Sequence, residues 1–479
     1  MASDSSTISG PVAFSPDGRR FHFTGPVGLP FEPGSFVGLA VSTEFVYVGQ
    51  IDDITLGDFE GSLHGAGRVL GRVSESGRIE VSETAPFTDV AMHHADPQTV
   101  DLIYTNSSGV LPIGSILGSD DIPARLIARK FNRHTFWVGQ SGSGKTYALG
   151  VVLEQLLLHT RLPMVIFDPN GDFVRMGEAA ASGSAHNVDD VRELAERDIR
   201  ILRPSAAETD ADALCVRYTD LSMQSKAAVV RVDPVEDRAE FNELMHLEQN
   251  LGSLDPARIL PVLHERGTPA ALALAARTEN LRVLDWEVWA GPRTSVTDVL
   301  DTRPDATVLD MGGFDYPGES LAVALAVLDD LWEKREQRRP ILIVIDEAHN
   351  FCAPEGDTPL EKAVRERLIQ IAAEGRKFGL WLLLSTQRPS RVHPSIISQC
   401  DNLALLKMSS PIDLDELATI FGFVPPAMFE RSPRFRQGEA LFAGGFVPAP
   451  TMVKMGARLT REGGSDVDVP LRTAGDPQS

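Results

Sequence analysis

One segment carries a complete phosphate-binding pattern. Residues 139–146 match G-x-x-x-x-G-K-[ST] and follow the apolar run His134–Val138. Glycines let backbone N–H groups converge on phosphate oxygens, and the start of the following helix adds its positive dipole end. Lys145 supplies a charge for the β and γ phosphates. The residues expected to contact a nucleoside triphosphate are Gly139, Gln140, Ser141, Gly142, Ser143, Gly144, Lys145, Thr146 and Tyr147.

A second apolar run ends in two acids. Ile341–Ile345 reads as a buried strand, and Asp346 and Glu347 follow it directly. A phosphate-binding loop of this kind needs a nearby acid to hold Mg²⁺, so the pattern predicts that Asp346 and the Thr146 hydroxyl share this ion. Glu347 lies one residue further out, toward the γ-phosphate. It is the predicted group that activates the attacking water.

Two other strand ends carry polar residues. Leu380–Ser385 is an apolar strand, and Gln387 follows it as the predicted residue that senses the γ-phosphate and holds the lytic water. Val165–Phe167 leads into Asp168 and the turn Pro169-Asn170-Gly171. Asp168 has two readings: it reaches the magnesium shell of the nucleotide, or it begins the turn.

Arg376 and Lys377 lie at the end of the helix that precedes the Gln387 strand. The dipole of a helix favours cations at its C-terminus, so simple capping explains both residues. The functional alternative is an arginine finger, which reaches into the nucleotide site of the next subunit and stabilises the transition state. Arg376 is the favoured candidate for that role, and Lys377 is the second.

The elements that must position these residues fall into two regions. Residues 11–115 show short alternating runs between Gly and Pro turns, which predict a small β-barrel or sandwich. From about residue 133, apolar strands alternate with helices, which indicates a mainly parallel sheet covered on both faces. The prediction is an α/β protein: a RecA-like P-loop NTPase domain behind a small N-terminal β-barrel.

The predicted division has three parts: an N-terminal barrel over 1–118, the ATPase domain over 119–460 and a mobile C-terminal tail over 461–479. Within the ATPase domain, the stretch of about 175–300 is rich in acids and helix formers. It is predicted to be a mostly helical insertion.

Composition narrows the class of protein. A hydrophobic fraction of 43% and a charged fraction of 23% exclude a disordered or fibrous chain. The apolar runs are too short to cross a bilayer, and the first ten residues lack the features of a signal peptide. The three cysteines are far apart and form no Cys-x-x-Cys, which argues against disulfide or zinc frameworks and predicts a cytoplasmic protein. The net charge of −22 argues against a protein that coats nucleic acid with its whole surface.

Several segments together resemble one family. They are Arg133-His134-Thr135, the loop at 139–146, Val165–Gly171, Asp346-Glu347-Ala348-His349, Glu374–Gly379 and Ser385–Ser390. In this order they resemble the HerA family of hexameric DNA-translocating ATPases, within the wider HerA–FtsK group. The N-terminal β region is similar to the small barrel of that family, and the resemblance covers about residues 11–460.

The resemblance implies a homohexameric ring in which ATP and Mg²⁺ lie between neighbouring subunits and duplex DNA passes through the central pore. It also implies a partner nuclease or other effector enzyme, in DNA end processing or antiviral defence, with the N-terminal barrel as its docking surface. The cluster Arg125, Arg129, Lys130 and Arg133 has three readings: a subunit interface, the channel or a solvated linker. A few cations from each of six subunits would suffice for contact with DNA phosphates.

Two other functions stay open from the sequence. The first is an ATP-gated hexameric scaffold that assembles and activates an effector enzyme without processive movement on DNA. The second is a coupling ATPase of secretion or conjugation, which the absence of a transmembrane segment disfavours. Stimulation of ATP turnover by duplex DNA separates the motor from the scaffold.

Overall fold

The computed structural model describes residues 10–42, 46–57, 61–74, 76–81, 84–180, 188–204, 212–251, 258–291, 293–356 and 358–464. Most of the predicted tail, 465–479, therefore lies outside the described residues. Among the described helices, no segment combines the length and the apolar character needed to cross a bilayer.

The N-terminal region is a closed barrel. Its strands are β1 (Val12–Ser15), β2 (Arg20–Pro26), β3 (Phe36–Leu39), β4 (Tyr47–Leu56), β5 (Ser62–Val73), β6 (Ile79–Glu80) and β7 (Phe87–His94). They pair in the order β2-β1-β7-β3-β4-β5-β6, and an additional pairing of β2 with β5 closes six of them into a ring. Closure removes the open strand edges that a small sheet would otherwise expose.

Buried and exposed residues alternate along strands such as β2, and the buried side chains fill the interior of this barrel. Phe21 and Phe23 of β2 are buried, whereas the residues between and beside them face outward. Opposite them on β5 stand Gly67 and Gly65. A Cβ atom on Gly67 would lie 2.4 Å from the Phe21 ring, so the small residue makes room for the phenyl group.

The remaining elements follow in chain order. They are α1 (Pro97–Asn106), β8 (Leu111–Ile116), β9 (Ser119–Leu126), β10 (His134–Val138), α2 (Lys145–His159), β11 (Met164–Asp168), α3 (Val188–Ala195), β12 (Ile199–Leu202), α4 (Met223–Val229), α5 (Arg238–Leu251), α6 (Ile259–Arg266), α7 (Pro269–Leu281), α8 (Val296–Asp301), β13 (Ala306–Asp310), α9 (Pro317–Glu333), β14 (Ile341–Ile345), α10 (Pro359–Glu374), β15 (Leu380–Thr386), α11 (Pro394–Ile397), β16 (Cys400–Leu405), α12 (Pro411–Ile420), α13 (Pro426–Phe429), β17 (Glu439–Gly444) and β18 (Thr451–Met455).

Eleven of these strands form one sheet in the order β12-β13-β11-β14-β15-β10-β16-β17-β18-β8-β9. The seven strands from β12 to β16 are parallel to one another, and the last four are antiparallel. Hydrophobic cores cover both faces, with α2 on one face and α9 and α10 on the other. The predicted fold class, an α/β P-loop domain with a mainly parallel sheet behind a small barrel, is confirmed.

Two details differ from the predicted layout. The division predicted at 118/119 falls in the turn between β8 and β9, and both strands pair within the large sheet. The predicted helical insertion contains α3 to α8, but it also contributes β12 to the edge of the sheet. The domain limits themselves stay predictions.

The direction of the parallel strands defines two edges of the sheet. The carboxyl edge is where β10, β11, β14 and β15 end, at Val138, Asp168, Ile345 and Thr386. The amino edge is where they begin. Polar residues that follow different strands therefore meet at the carboxyl edge, as parallel α/β sheets require.

Candidate active site

The phosphate-binding loop joins β10 to α2 at the carboxyl edge. Gly142 and Gly144 have φ angles of +73° and +83°, in the left-handed region that glycine enters without strain. A Cβ atom on Gly139 would lie 2.7 Å from the Ser143 Oγ. Gly144 caps α2 without any side-chain hydrogen bond. The first N–H groups of α2 are therefore left to an anion, which the helix dipole also favours.

Lys145 is buried at the centre of a polar cluster. Its Nζ lies 2.7 Å from Asp346 Oδ1, 2.9 Å from Ser385 Oγ and 3.2 Å from Glu347 Oε1. Burial lowers the pKa of this ammonium, but the charges of Asp346 and Glu347 outweigh burial, so the pKa is raised. Lys145 therefore stays charged and neutralises the two acids from within the protein.

Asp346 keeps one oxygen for a further partner. Its Oδ1 accepts hydrogen bonds from Lys145 and, at 2.6 Å, from Ser385 Oγ. Its Oδ2 is buried and has no hydrogen-bond partner among the described residues. A carboxylate oxygen and a hydroxyl such as that of Thr146, which follows Lys145 at the start of α2, are the hard oxygen ligands that Mg²⁺ prefers. The residues present thus fit a magnesium ion.

Glu347 is held in a strained backbone conformation next to polar partners. Its φ angle is +46°, which is uncommon for a residue with a side chain. Gln387 Nε2 donates to its Oε1 at 2.6 Å, and His349 Nδ1 lies 3.2 Å from its Oε2. Burial raises the pKa of Glu347, but His349, Lys145 and Gln387 together lower it to about 2. The carboxylate is therefore ionised at any pH at which the protein works.

Lys145 and Gln387 border a cavity of about 850 Å³, which is within the usual range of ligand pockets. The predicted residues that line it are Gln140, Ser141, Gly142, Gly144, Lys145, Thr146, Tyr147 and Gln387. Lining residues that sequence reasoning missed are Asp172, Gln437, Gly438, Lys454, Met455, Gly456, Ala457, Glu462 and Gly464. Asp346 and Glu347 stand behind Lys145, in contact with its ammonium group.

Asp168 does not line this cavity. Its two carboxylate oxygens accept hydrogen bonds from the backbone N–H groups of Asp172, at 2.9 Å, and Phe173, at 2.7 Å. Burial raises the pKa of Asp168 to about 7. Of its two readings, these contacts correspond to the turn. The acid of this turn that faces the cavity is Asp172, and burial raises its pKa to about 6.

The C-terminal segment lies along α2 and forms one wall of the cavity. Glu154, buried in α2, accepts hydrogen bonds from the backbone of Leu459 at 2.8 Å and of Thr460 at 2.9 Å. Further on, the Gly463 N–H donates to the Asp172 carbonyl at 3.0 Å. The first described residues of the predicted tail, 461–464, are therefore ordered against the core, and they bring Glu462 to the cavity.

Arg376 lies far from this cluster. It sits in the one-turn 3-10 helix Gly375–Phe378 at the amino edge, where its Nη1 bonds Asp401 Oδ2 at 2.6 Å. The seven residues of β15 separate this turn from Gln387, a span of about 20 Å. Arg376 does not reach the nucleotide cavity of its own chain, and its role in a neighbouring subunit stays a prediction.

Comparison with known proteins shows which family this chain resembles. The family model for the central domain of the helicase HerA matches residues 111–284. The chain is 32% identical over 405 residues to the DNA double-strand break repair helicase HerA of Sulfolobus acidocaldarius, covering 81% of this chain and 77% of that protein. It is 22% identical over 416 residues to a probable helicase of Methanocaldococcus jannaschii, covering 84% and 78%.

Among solved structures, the plasmid coupling protein TrwB, in complex with a non-hydrolysable GTP analogue, has a similar fold. The TM-score is 0.50 at 14% identity, and the match covers 74% of this chain and 91% of that one. This likeness concerns the fold alone. The identity to the Sulfolobus protein, in contrast, extends over most of both sequences and includes the P-loop region, and it therefore places this chain in the HerA family of P-loop ATPases.

Proposed function

We propose that this protein is a ring-forming motor that hydrolyses ATP and translocates on duplex DNA. The observation that carries the proposal is the buried cluster of Lys145, Asp346 and Glu347 beside a cavity large enough for a nucleotide. Several relatives bear the name helicase, and four of them bear the name DNA double-strand break repair helicase, which supports DNA as the polymer along which this protein moves.

In this site, Lys145 and the loop backbone bind the phosphates. Thr146 and Asp346 would hold Mg²⁺, which would neutralise phosphate charge. Glu347 accepts the proton of the attacking water, and Gln387, bonded to the same carboxylate, orients that water. Once Lys145 pairs with phosphate, Glu347 loses part of its counter-charge and becomes more basic.

The assembly that fits this chemistry is a homohexamer. Arg376 sits at the amino edge, so it completes a site only if that edge faces the nucleotide cavity of a neighbour. Such a head-to-tail contact continues from subunit to subunit, and a ring results when the rotation between neighbours closes. Duplex DNA would pass through the central pore, where six copies of a few cations suffice despite the net charge of −22.

A nuclease or another effector enzyme is the proposed partner, either in DNA end processing or in antiviral defence. The N-terminal barrel supports a docking role because it exposes several large apolar side chains. These are Phe14, Val27 and Leu56, with Val81 beside β6.

The test of the motor is ATP turnover with and without duplex DNA, combined with displacement of a protein block from one DNA end. We expect DNA to stimulate turnover and the block to be displaced only with hydrolysable ATP. The Glu347→Gln variant is the matched control, because it should bind ATP without displacing the block. Turnover that duplex DNA leaves unchanged, without displacement, would replace the motor by the ATP-gated scaffold.

A further inference from the structure

His134 stands at the first position of the strand that leads to the phosphate-binding loop, and its side chain is fully buried. The Leu382 N–H donates to its Nδ1 at 2.9 Å, and its Nε2 lies 3.0 Å from the Ala372 carbonyl. Because Nδ1 accepts a hydrogen bond, the ring proton is on Nε2, which donates to Ala372. The imidazole therefore connects three elements: β10, β15 and the last turn of α10.

The bond to Ala372 fixes the end of a helix. The last carbonyl groups of a helix have no hydrogen-bond partners within the helix. A side-chain donor that bonds one of them therefore stabilises the helix end at that position. Ala372 precedes Arg376 by four residues, and the 3-10 turn that carries Arg376 begins directly after α10. The position of this turn thus depends on the ring of His134.

The protonation state of the ring suits this task. Burial, with smaller effects from the charges of Arg376 and Arg133, lowers the pKa of His134 to about 4. The imidazole is therefore neutral and keeps one donor and one acceptor throughout the physiological range.

We infer that His134 is a positioning residue for Arg376: it fixes the turn that presents this arginine to the nucleotide of the neighbouring subunit. The inference rests on the proposed function, in which Arg376 acts between subunits. It adds a link between two nucleotide sites. β10 ends at the phosphate-binding loop of its own subunit, and His134, at the start of β10, positions the Arg376 that would complete the site of the next subunit.

Two substitutions of His134 test its two hydrogen bonds separately. In His134→Asn, the amide oxygen lies near the place of Nδ1 and accepts from Leu382, but the side chain is too short to reach Ala372. In His134→Gln, the longer amide keeps a donor for Ala372. We expect ATP turnover to fall about tenfold to a hundredfold in His134→Asn, since small misplacements of a catalytic group have effects of this size. His134→Gln should stay close to wild type, and both variants should bind ATP normally.

A mixing experiment shows in which subunit His134 acts. His134→Asn chains are assembled with an equal amount of Glu347→Gln chains, which are inactive themselves but carry an intact Arg376 turn. We expect turnover to recover at the His134→Asn sites that receive Arg376 from a Glu347→Gln neighbour. A parallel mixture of Arg376→Ala and Glu347→Gln chains gives the level of recovery that such complementation allows.

Each result decides between the two proposals. Recovery in the Arg376→Ala mixture without recovery in the His134→Asn mixture would overturn the role of His134 and leave the motor intact. No recovery in either mixture would overturn the intersubunit role of Arg376 itself. Full turnover in His134→Asn alone would also refute the inference. If His134→Asn does not fold, His134→Gln still tests the inference: this variant keeps a donor for Ala372, so turnover far below wild type would overturn the role of His134.

Discussion

The two edges of the parallel sheet differ in the sign and burial of their charged side chains, although the amino edge also carries Asp198 before β12, Asp305 before β13 and Asp401 in β16. At the carboxyl edge, Asp168, Asp346 and Glu347 are buried, and Lys145 lies among the last two. At the amino edge, cations precede one strand after another, and most of them are exposed or half-buried. They are Arg133 before β10, Arg161 before β11, Arg303 before β13, Arg338 and Arg339 before β14, and Arg376 before β15.

Helix direction explains much of this difference. The helices between parallel strands run back across the sheet, so α2 begins at the carboxyl edge and ends at the amino edge. Helix N-termini favour anions and C-termini favour cations. Arg161, Arg338 and Arg376 all follow helix ends, so capping accounts for their sign. The comparison teaches that the anion-binding half-site lies at one edge of the protomer, whereas the cations that the proposed ring would offer to a neighbour lie at the other.

The largest effect is expected from Lys145→Ala at the carboxyl edge. This change removes the charge that binds the phosphates and leaves Asp346 and Glu347 without their internal counter-ion. We expect both nucleotide affinity and ATP turnover to fall below detection. Equilibrium binding of a fluorescent ATP analogue and a phosphate-release assay measure the two quantities.

Lys454→Ala is the matched control, because Lys454 lines the same cavity but is exposed. It should retain most of the affinity for ATP. Equal losses in both variants would mean that the cavity needs positive charge in general rather than the buried ammonium of Lys145.

Glu347→Gln should separate binding from chemistry at the same edge. The amide keeps the shape of the side chain but does not accept a proton, so turnover should fall by up to about 10,000-fold while ATP still binds. Since the pKa of Glu347 is lowered to about 2 in the nucleotide-free protein, its ionisation adds no step between pH 5 and 8 to the profile of kcat/KM, which reports the free enzyme. Robust turnover in this variant would refute the assignment, and Glu374→Gln, on the exposed end of α10, is the neutral control.

At the amino edge, Arg376→Ala should lower turnover by about 1,000-fold without weakening ATP binding, as the loss of an arginine finger does in other P-loop enzymes. Lys377→Ala changes a neighbouring exposed cation of the same turn and should have little effect. If turnover fell more in Lys377→Ala than in Arg376→Ala, the intersubunit role would belong to Lys377. Turnover close to wild type in both variants would mean that these two cations only cap the helix.

Much of the carboxyl edge is predictable from the sequence, because a local motif and a general rule of parallel sheets act together. The loop at 139–146 matches a short pattern, and Asp346, Glu347 and Gln387 each follow an apolar strand. Parallel strands end at the same edge, so these residues must converge. Ser385 could have been found by the same rule, since it precedes Gln387 near the end of β15.

The remaining features depend on contacts between residues that are distant in sequence. Residues 461–464 belong to the predicted mobile tail, but contacts with distant residues hold this end of the chain at the cavity. The buried Glu154, about 300 residues earlier, bonds the backbone of Leu459 and Thr460, and the Asp172 carbonyl accepts from Gly463. The choice between Asp168 and Asp172 depends on turn geometry, in which Gly171 has a φ angle of +71°. Local patterns do not specify either contact, so sequence reasoning left the two readings of Asp168 open and missed Asp172.

The smallest expected effect concerns the pH dependence of stability at the carboxyl edge. Burial raises the pKa of Asp168 from 3.8 to about 7, so the folded chain binds more protons at this position than the unfolded chain between these values. The contribution of Asp168 to stability therefore decreases as the pH rises from about 4 to 7. Asp168→Asn removes this titration. As the pH rises from 5 to 8, the free energy of unfolding of the variant should therefore increase relative to that of the wild type by about 1–3 kcal/mol. Melting temperatures of both proteins across this range, without nucleotide or magnesium, measure the change; parallel curves would show that Asp168 is already ionised in the folded chain at pH 5.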